Sequence, residues 1–150
     1  MSFWPLIIGT FMMGVTVAIH AVGSARWLAY MGTWKTRRHH NSGSGILFNA
    51  IVLTALALLL LHLVEMVLWA VLYVSMQEWT GLTDMSEAIY FSVITFTTVG
   101  YGDITLNESS RLLSGMEGMV GITVFGLTTA TLFAVIQRIW RLEHTASKDS

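Results

Sequence analysis

Three long apolar stretches constrain this chain more than any other feature, because crossing roughly 30 Å of bilayer hydrocarbon takes about 20 helical residues. The first runs from about Trp4 to Tyr30 and starts beside Pro5, the only proline. The second runs from about Ile46 to Met76, with a dense core from Ala50 to Leu72. The third, from about Arg111 to Trp140, is richer in Gly, Thr and Ser. Hydrophobic residues fill 54% of the 150 positions and charged residues 11%, where a soluble domain is about a quarter charged. That apolar surface belongs in lipid, so the expected fold class is an all-α membrane protein. The first stretch does not read as a secretory signal: Met1 to Thr10 carries no Lys or Arg, and a retained helix is expected. With no cysteine, disulfides, thiolate catalysis and sulfur-ligated metals are excluded. No catalytic constellation is present, so the chain is not read as an enzyme, and no nucleic-acid partner is expected. Only ten residues follow Trp140, too few for a soluble ligand domain to fold.

A polar link, Lys35-Thr36-Arg37-Arg38-His39-His40-Asn41-Ser42-Gly43-Ser44-Gly45, separates the first two spans, and its Gly/Ser end is expected to be a flexible connector. His39 and His40 there are read as solvated or in contact with lipid headgroups. Arg26, Lys35, Arg37 and Arg38 lie at or near this link, and Arg138, Arg141 and Lys148 at the C-terminal end. Between the second and third spans Arg111 stands against Glu78, Asp84, Glu87, Asp103 and Glu108. The bias of basic residues toward the cytoplasm then puts the link and the C-terminus inside and the N-terminus outside, in a multi-pass plasma-membrane protein. A semi-apolar segment from about Met85 to Phe96 is too short to span and reads as a re-entrant helix, with Asp84 and Glu87 forming a capping box at its start. Helix ends at membrane depth need protein or water around them, which already suggests a pore.

Directly after that segment stands Thr97-Thr98-Val99-Gly100-Tyr101-Gly102-Asp103. For successive carbonyls to point one way, alternate residues must take backbone angles that side chains disfavour, and Gly100 and Gly102 do so freely. A lone Gly-Tyr-Gly would be an ordinary turn; here a capped short helix precedes it and a span lies on either side. From about Ala57 to Ala134 the chain resembles the tetrameric potassium channels of the two-span pore type, especially small bacterial members with an extra leading span. The resemblance runs through Ser86-Glu87-Ala88-Ile89-Tyr90-Phe91-Ser92-Val93-Ile94-Thr95-Phe96, the glycine string, Arg111, and Gly121-Ile122-Thr123-Val124-Phe125-Gly126-Leu127-Thr128-Thr129-Ala130. It implies a homotetramer conducting K+ passively, each chain giving three transmembrane helices, a re-entrant pore helix and one quarter of the selectivity filter. Residues 1–45 would form the extra helix and basic link, 46–140 the pore domain and 141–150 a short cytoplasmic tail. Thr98, Val99, Gly100, Tyr101 and Gly102 would bind the ion, with K+ held by carbonyls from Thr98 to Tyr101 and by the Thr98 hydroxyl. Thr97 and Asp103 would support the filter, and Tyr101 would pack outward on aromatics such as Tyr90. No cofactor beyond bound K+ is implied. Some members carry a pore-helix glutamate that pairs with the filter aspartate; Ile94 stands there instead, so Asp103 needs another partner. Two rival readings are a subunit of a potassium uptake transporter, whose loops usually keep one filter glycine, and a non-conducting membrane sensor of the same fold.

Gly115, Gly118, Gly121 and Gly126 interrupt the third span, either for close helix packing or, at Gly121, as a hinge. Ile122, Phe125, Thr129 and Phe133 recur at helical spacing and form the candidate cavity lining and gate. His62 and Glu65, one turn apart, and Glu117 are ionisable groups at membrane depth, which mark function by default. They are candidates for hydrogen bonding behind the pore helix in support of the filter, for proton-sensitive gating, or for a metal site. His20 reads as a packed, satisfied residue. The first span has only Arg26 as a charge, so it is no voltage sensor. Its Gly14, Ala18, Ala21 and Ala25 face is expected to dock on the second span of its own or a neighbouring subunit.

Overall fold

The computed structural model describes residues 3–36 and 44–146, with side chains described at 3–32, 48–138, 140 and 141. Among them are five helices and no strand: α1 (Trp4–Thr36), α2 (Ser44–Ser75), α3 (Gln77–Thr80), α4 (Met85–Phe96) and α5 (Leu112–Ala146). The stretches Trp4–Gly32, Phe48–Ser75 and Leu112–Arg138 are long and apolar enough to cross a membrane. The three expected spans and the short helix are therefore present, but two of their ends differ. Ser44 and Gly45 form the start of α2 rather than a connector, and residues 141–146 continue α5 instead of forming a tail. Apolar patterning stops where lipid stops, whereas helical hydrogen bonding runs on through Lys, Arg and Glu, which are good helix formers. The rest of the link, residues 37–43, and residues 147–150 lie outside the described residues.

Helix α4 starts where the sequence says, because the Asp84 carboxylate accepts the Glu87 backbone N–H at 2.9 Å, filling one of the free donors of a first turn. The short α3 was not anticipated. It ends at Gly81, whose φ of 85° is a left-handed cap that glycine takes at least cost. Thr80 ties it back to α2 through the Tyr73 carbonyl at 2.7 Å. Asn107 and Ser110 tie it forward, their backbone N–H and hydroxyl reaching the Thr80 and Trp79 carbonyls at 3.0 and 3.1 Å. The segments before α4 and before α5 are thus closed against each other.

The core gathers Trp69 and Tyr73 of α2, Ala88, Phe91 and Phe96 of α4, and Leu113, Val120 and Val124 of α5. Helix α1 runs antiparallel to α2, and two reciprocal bonds set the register. Trp69 Nε1 donates to Thr16 at 3.1 Å, and Trp27 Nε1 donates to Thr54 at 3.0 Å. Along α5 it runs parallel: Gly9 meets Leu113 and Met116, His20 meets Thr128, and Gly32 meets Arg138. Of the two partners expected for the small-residue face of α1, the chain's own second span is not the one it meets. The Gly14, Ala18, Ala21 and Ala25 face is exposed on the chain, while Pro5, Gly9, Thr16, His20 and Ser24 are buried. Small residues allow close approach, but here the face turned to α2 and α5 is the one on which the Thr16 hydroxyl, the His20 imidazole and Gly9, Gly23 and Gly32 meet specific partners.

Candidate functional site

The backbone leaves α4 through a tight exit. Thr97 folds its hydroxyl back on the Val93 carbonyl at 2.6 Å. The N–H groups of Thr98 and Gly100 bond the Thr95 and Ile94 carbonyls at 2.9 and 3.0 Å. Ile94, expected as a lost support, thus contributes its carbonyl while its side chain is buried. From Thr98 to Gly102 the sign of φ alternates, positive at Thr98 (61°), Gly100 (54°) and Gly102 (79°). Such alternation of hand lets successive carbonyls share one side of the segment. Two of the three left-handed positions are glycine. Thr98 is a β-branched residue there, a genuine outlier of the sort that collects at functional sites.

Asp103 finds its partner in Tyr90, whose hydroxyl donates to the carboxylate at 2.8 Å. Losing that proton would break the bond and set two negative charges together, so the Tyr90 phenol is held above its usual range by this hydrogen bond. Tyr101 was expected to pack outward on aromatics such as Tyr90; the Tyr90 hydroxyl serves Asp103, and Tyr101 is exposed on the single chain.

Gly121 has a specific packing partner. A methyl group added there would overlap the carbonyl oxygen of Phe96, the last residue of α4, whereas one at Gly115 or Gly126 would meet nothing within 4 Å. Helix α5 passes through Gly121 without interruption. The glycine is a seat for the end of α4. Of the four residues expected on one α5 face, Ile122, Thr129 and Phe133 fall within an arc of about 40° and are exposed. Phe125 departs from them: its ring turns into the chain, 4.7 Å from His62 and 5.9 Å from Phe96 by centroid.

The three ionisable groups expected to act together fall into two sets. Glu117 is fully buried behind α4, accepting from the Tyr73 hydroxyl at 2.6 Å and from Ser92 of α4 through a very short bond. Ser92 also reaches the Met66 carbonyl at 2.8 Å, so one hydroxyl links α2, α4 and α5. Glu65 does not join this set and makes no bond to α4 among the described residues. Its two oxygens take His20 Nδ1 and His62 Nδ1, each at 3.0 Å, and all three side chains are buried. His62 reaches α4 only through the ring of Phe96, 6.1 Å away. The sequence reading missed His20, Thr128, Ser92 and Tyr73 as members of these sets. His20 carried a signal, an ionisable group inside an apolar span; the others are residue types common in any membrane helix.

Comparison with known proteins agrees with this arrangement. A family model described as "Ion channel" matches residues 58–138, which holds most of α2, all of α4, the glycine string and most of α5. The chain is 32% identical over 101 residues to the voltage-gated potassium channel Kch of Escherichia coli, covering 67% of this chain and 22% of that protein. Over 66 residues it is 32% identical to the human voltage-gated delayed rectifier potassium channel KCNH8, covering 41% and 6%. Over 82 residues it is 29% identical to the TWiK family of potassium channels protein 18 of Caenorhabditis elegans, covering 54% and 16%. The chain thus spans less than a quarter of the length of these relatives. No solved structure gives a significant match.

Proposed function

We propose that this chain, which belongs to the potassium-channel branch of the ion-channel family, is one subunit of a four-fold, potassium-selective pore that conducts passively. The observation that carries the reading is the alternating backbone from Thr98 to Gly102, mounted on the end of a capped helix too short to span. Four such segments around an axis offer rings of carbonyl oxygens, the known way to replace the hydration shell of K+ at little cost. Thr98, Val99, Gly100, Tyr101 and Gly102 are the ion-binding residues in this reading, with the Thr98 hydroxyl innermost. Two features speak for a ring of copies. Val99 and Tyr101 are 51% and 72% exposed on one chain, unusual for an apolar segment in the middle of a fold, and Ile122, Thr129 and Phe133 present an open α5 face beside them. The presence of both Gly100 and Gly102 favours a channel over an uptake transporter, whose loops usually keep one. The excess of Lys and Arg at the α1–α2 link and the C-terminal end supports an outside N-terminus and a cytoplasmic C-terminus. Asp103 with Tyr90, Thr97, and Glu117 through Ser92 brace the filter. Protons modulate the channel through the buried histidines.

Purified protein in liposomes tests the reading by K+ flux down a gradient without an energy source. Potassium flux blocked by barium, with sodium flux far smaller, is the expected result. Equal sodium and potassium flux defeats the selectivity claim, and no flux defeats the channel reading.

A further inference from the structure

The geometry of His20, His62 and Glu65 says what the group takes up. The two rings stack with centroids 5.1 Å apart and planes 20° from parallel. Their Nδ1 atoms therefore point side by side, each to its own oxygen of Glu65. A metal such as zinc needs ligand lone pairs converging on one point about 2 Å from each. Near-parallel imidazoles do not offer that, although the three ligand atoms lie within 4.8 Å of one another. At the opposite edges both Nε2 atoms meet a single hydroxyl, that of Thr128, at 2.9 Å for His62 and 3.3 Å for His20. Thr123, Thr129 and Thr131 of the same helix spend their hydroxyls on the carbonyl four residues back. Thr128 turns its hydroxyl to the imidazoles.

Counting hydrogens decides the occupancy. An ionised Glu65 only accepts, so both Nδ1 atoms donate to it, and a neutral imidazole then has a bare Nε2. Thr128 has one proton and would face two bare nitrogens, leaving one set against an oxygen lone pair in a dry site, which is costly. One added proton completes the set: one ring donates from Nε2 to Thr128, and Thr128 donates to the other ring. The charges are then one carboxylate, one imidazolium and one neutral ring. The site is neutral as a whole, which burial of a charged group requires.

We propose that His20, His62, Glu65 and Thr128 form a proton-binding site in each chain, holding one proton shared between two imidazoles and thereby tying α1 to α5. As a regulator of conduction the site rests on the channel reading above; as a proton site it does not. The sign is definite. With the proton bound both Nε2 atoms are bonded to Thr128; as pH rises one of these two bonds is lost, which loosens α5 at a point two turns beyond Gly121 and beside Phe125, which packs on both His62 and Phe96. Among the described residues no further charge faces the site. Helix α4 presents Phe96 and α5 presents Phe125 and Thr128, while Glu117 and Tyr73 bond to each other and, through Ser92, to the Met66 carbonyl.

Nitrogen NMR on the full chain in lipid nanodiscs, with labelled histidine and His39, His40 and His144 replaced by Gln, counts the protons directly. The expected result is one imidazolium proton spread over two rings and lost in a single step on raising pH. His20→Gln and His62→Gln each abolish that shared signal. Thr128→Val moves the midpoint by about one pH unit or more, the worth of one hydrogen bond to a charged group, and Thr128→Ser restores it. K+ flux in liposomes should change across the same midpoint and move with it in Thr128→Val. Two rings neutral throughout from about pH 5 to about pH 9, two protons binding independently, or stoichiometric zinc displacing the shared proton would each overturn the proposal. A flux profile unmoved by Thr128→Val would overturn the site's role as a regulator of conduction. Absence of flux at every pH sinks the channel reading instead, and the NMR count still decides the site.

Discussion

At the scale of residues, single atoms decide what glycine and glutamate are for. Gly121 and Gly126 look alike in the sequence, yet only the first lies against the Phe96 carbonyl. Gly121→Ala should cost about 1–3 kcal/mol as an overpacking change, read as a lower melting temperature. Gly126→Ala should be neutral or stabilise by up to about 1 kcal/mol through helix propensity. Equal effects at the two sites would mean that the seat for α4 is not there. At Glu117 the hydrogen-bond pattern makes a less obvious prediction. Ser92 has one proton for two acceptors, Met66 O and Glu117 Oε1. A neutral side chain with a donor at that oxygen completes the chain. Glu117→Gln should therefore keep most of the stability, whereas Glu117→Ala leaves the Tyr73 hydroxyl unpaired at about 1–3 kcal/mol, Ser92 keeping the Met66 carbonyl. Thermal unfolding of the two variants side by side separates hydrogen bonding from charge as the role of this residue.

At the scale of elements, α1 is a working part of the fold. It is joined to α2 by the reciprocal Trp–Thr bonds and to α5 from Gly9 to Gly32. Its two faces predict opposite outcomes. Gly23 lies against Leu61, with an added Cβ only 2.7 Å from the nearest methyl, so Gly23→Leu should lower the melting temperature by a clear margin, of the order of 1–3 kcal/mol. Ala18 is exposed, so Ala18→Leu should be close to neutral in one chain's stability. A destabilising Ala18→Leu would point to a contact across subunits instead. The positions of α2, α4 and α5 were legible because each is a run of residues with its own local signal: apolar length, a cap at Asp84, glycines where φ must turn positive. The rotation of α1 was not legible. Its small-residue stripe and its polar stripe both recur at helical spacing, and only the partners on α2 and α5 decide between them.

At the scale of the whole molecule, one chain leaves its most distinctive segment uncovered. Val99, Tyr101, Met119, Ile122 and Phe133 all stand exposed at the glycine string and along α5. Copies of the chain around an axis would cover part of this surface and leave the carbonyls facing the centre. Native mass spectrometry in detergent should give a tetramer of the 16.6 kDa chain; a monomer or dimer under conditions that keep flux would overturn the four-fold reading. Val99→Asp should prevent assembly without preventing insertion, since a carboxylate buried at such an interface has no partner.

What the sequence determined alone was everything written in neighbouring residues. Three spans, a capped short helix and a glycine-spaced string depend on composition, periodicity and φ preference, which are local properties. The tertiary structure decided which distant side chains meet. His20 joins Glu65 across 45 positions and Thr128 across 108, Phe125 turns inward, and Tyr90 takes Asp103. No spacing rule reaches those distances, because the contacts follow from how rigid helices rotate and slide against one another to satisfy their buried polar groups. The string from Thr97 to Asp103 could be read without a fold; the proton site beside it could not.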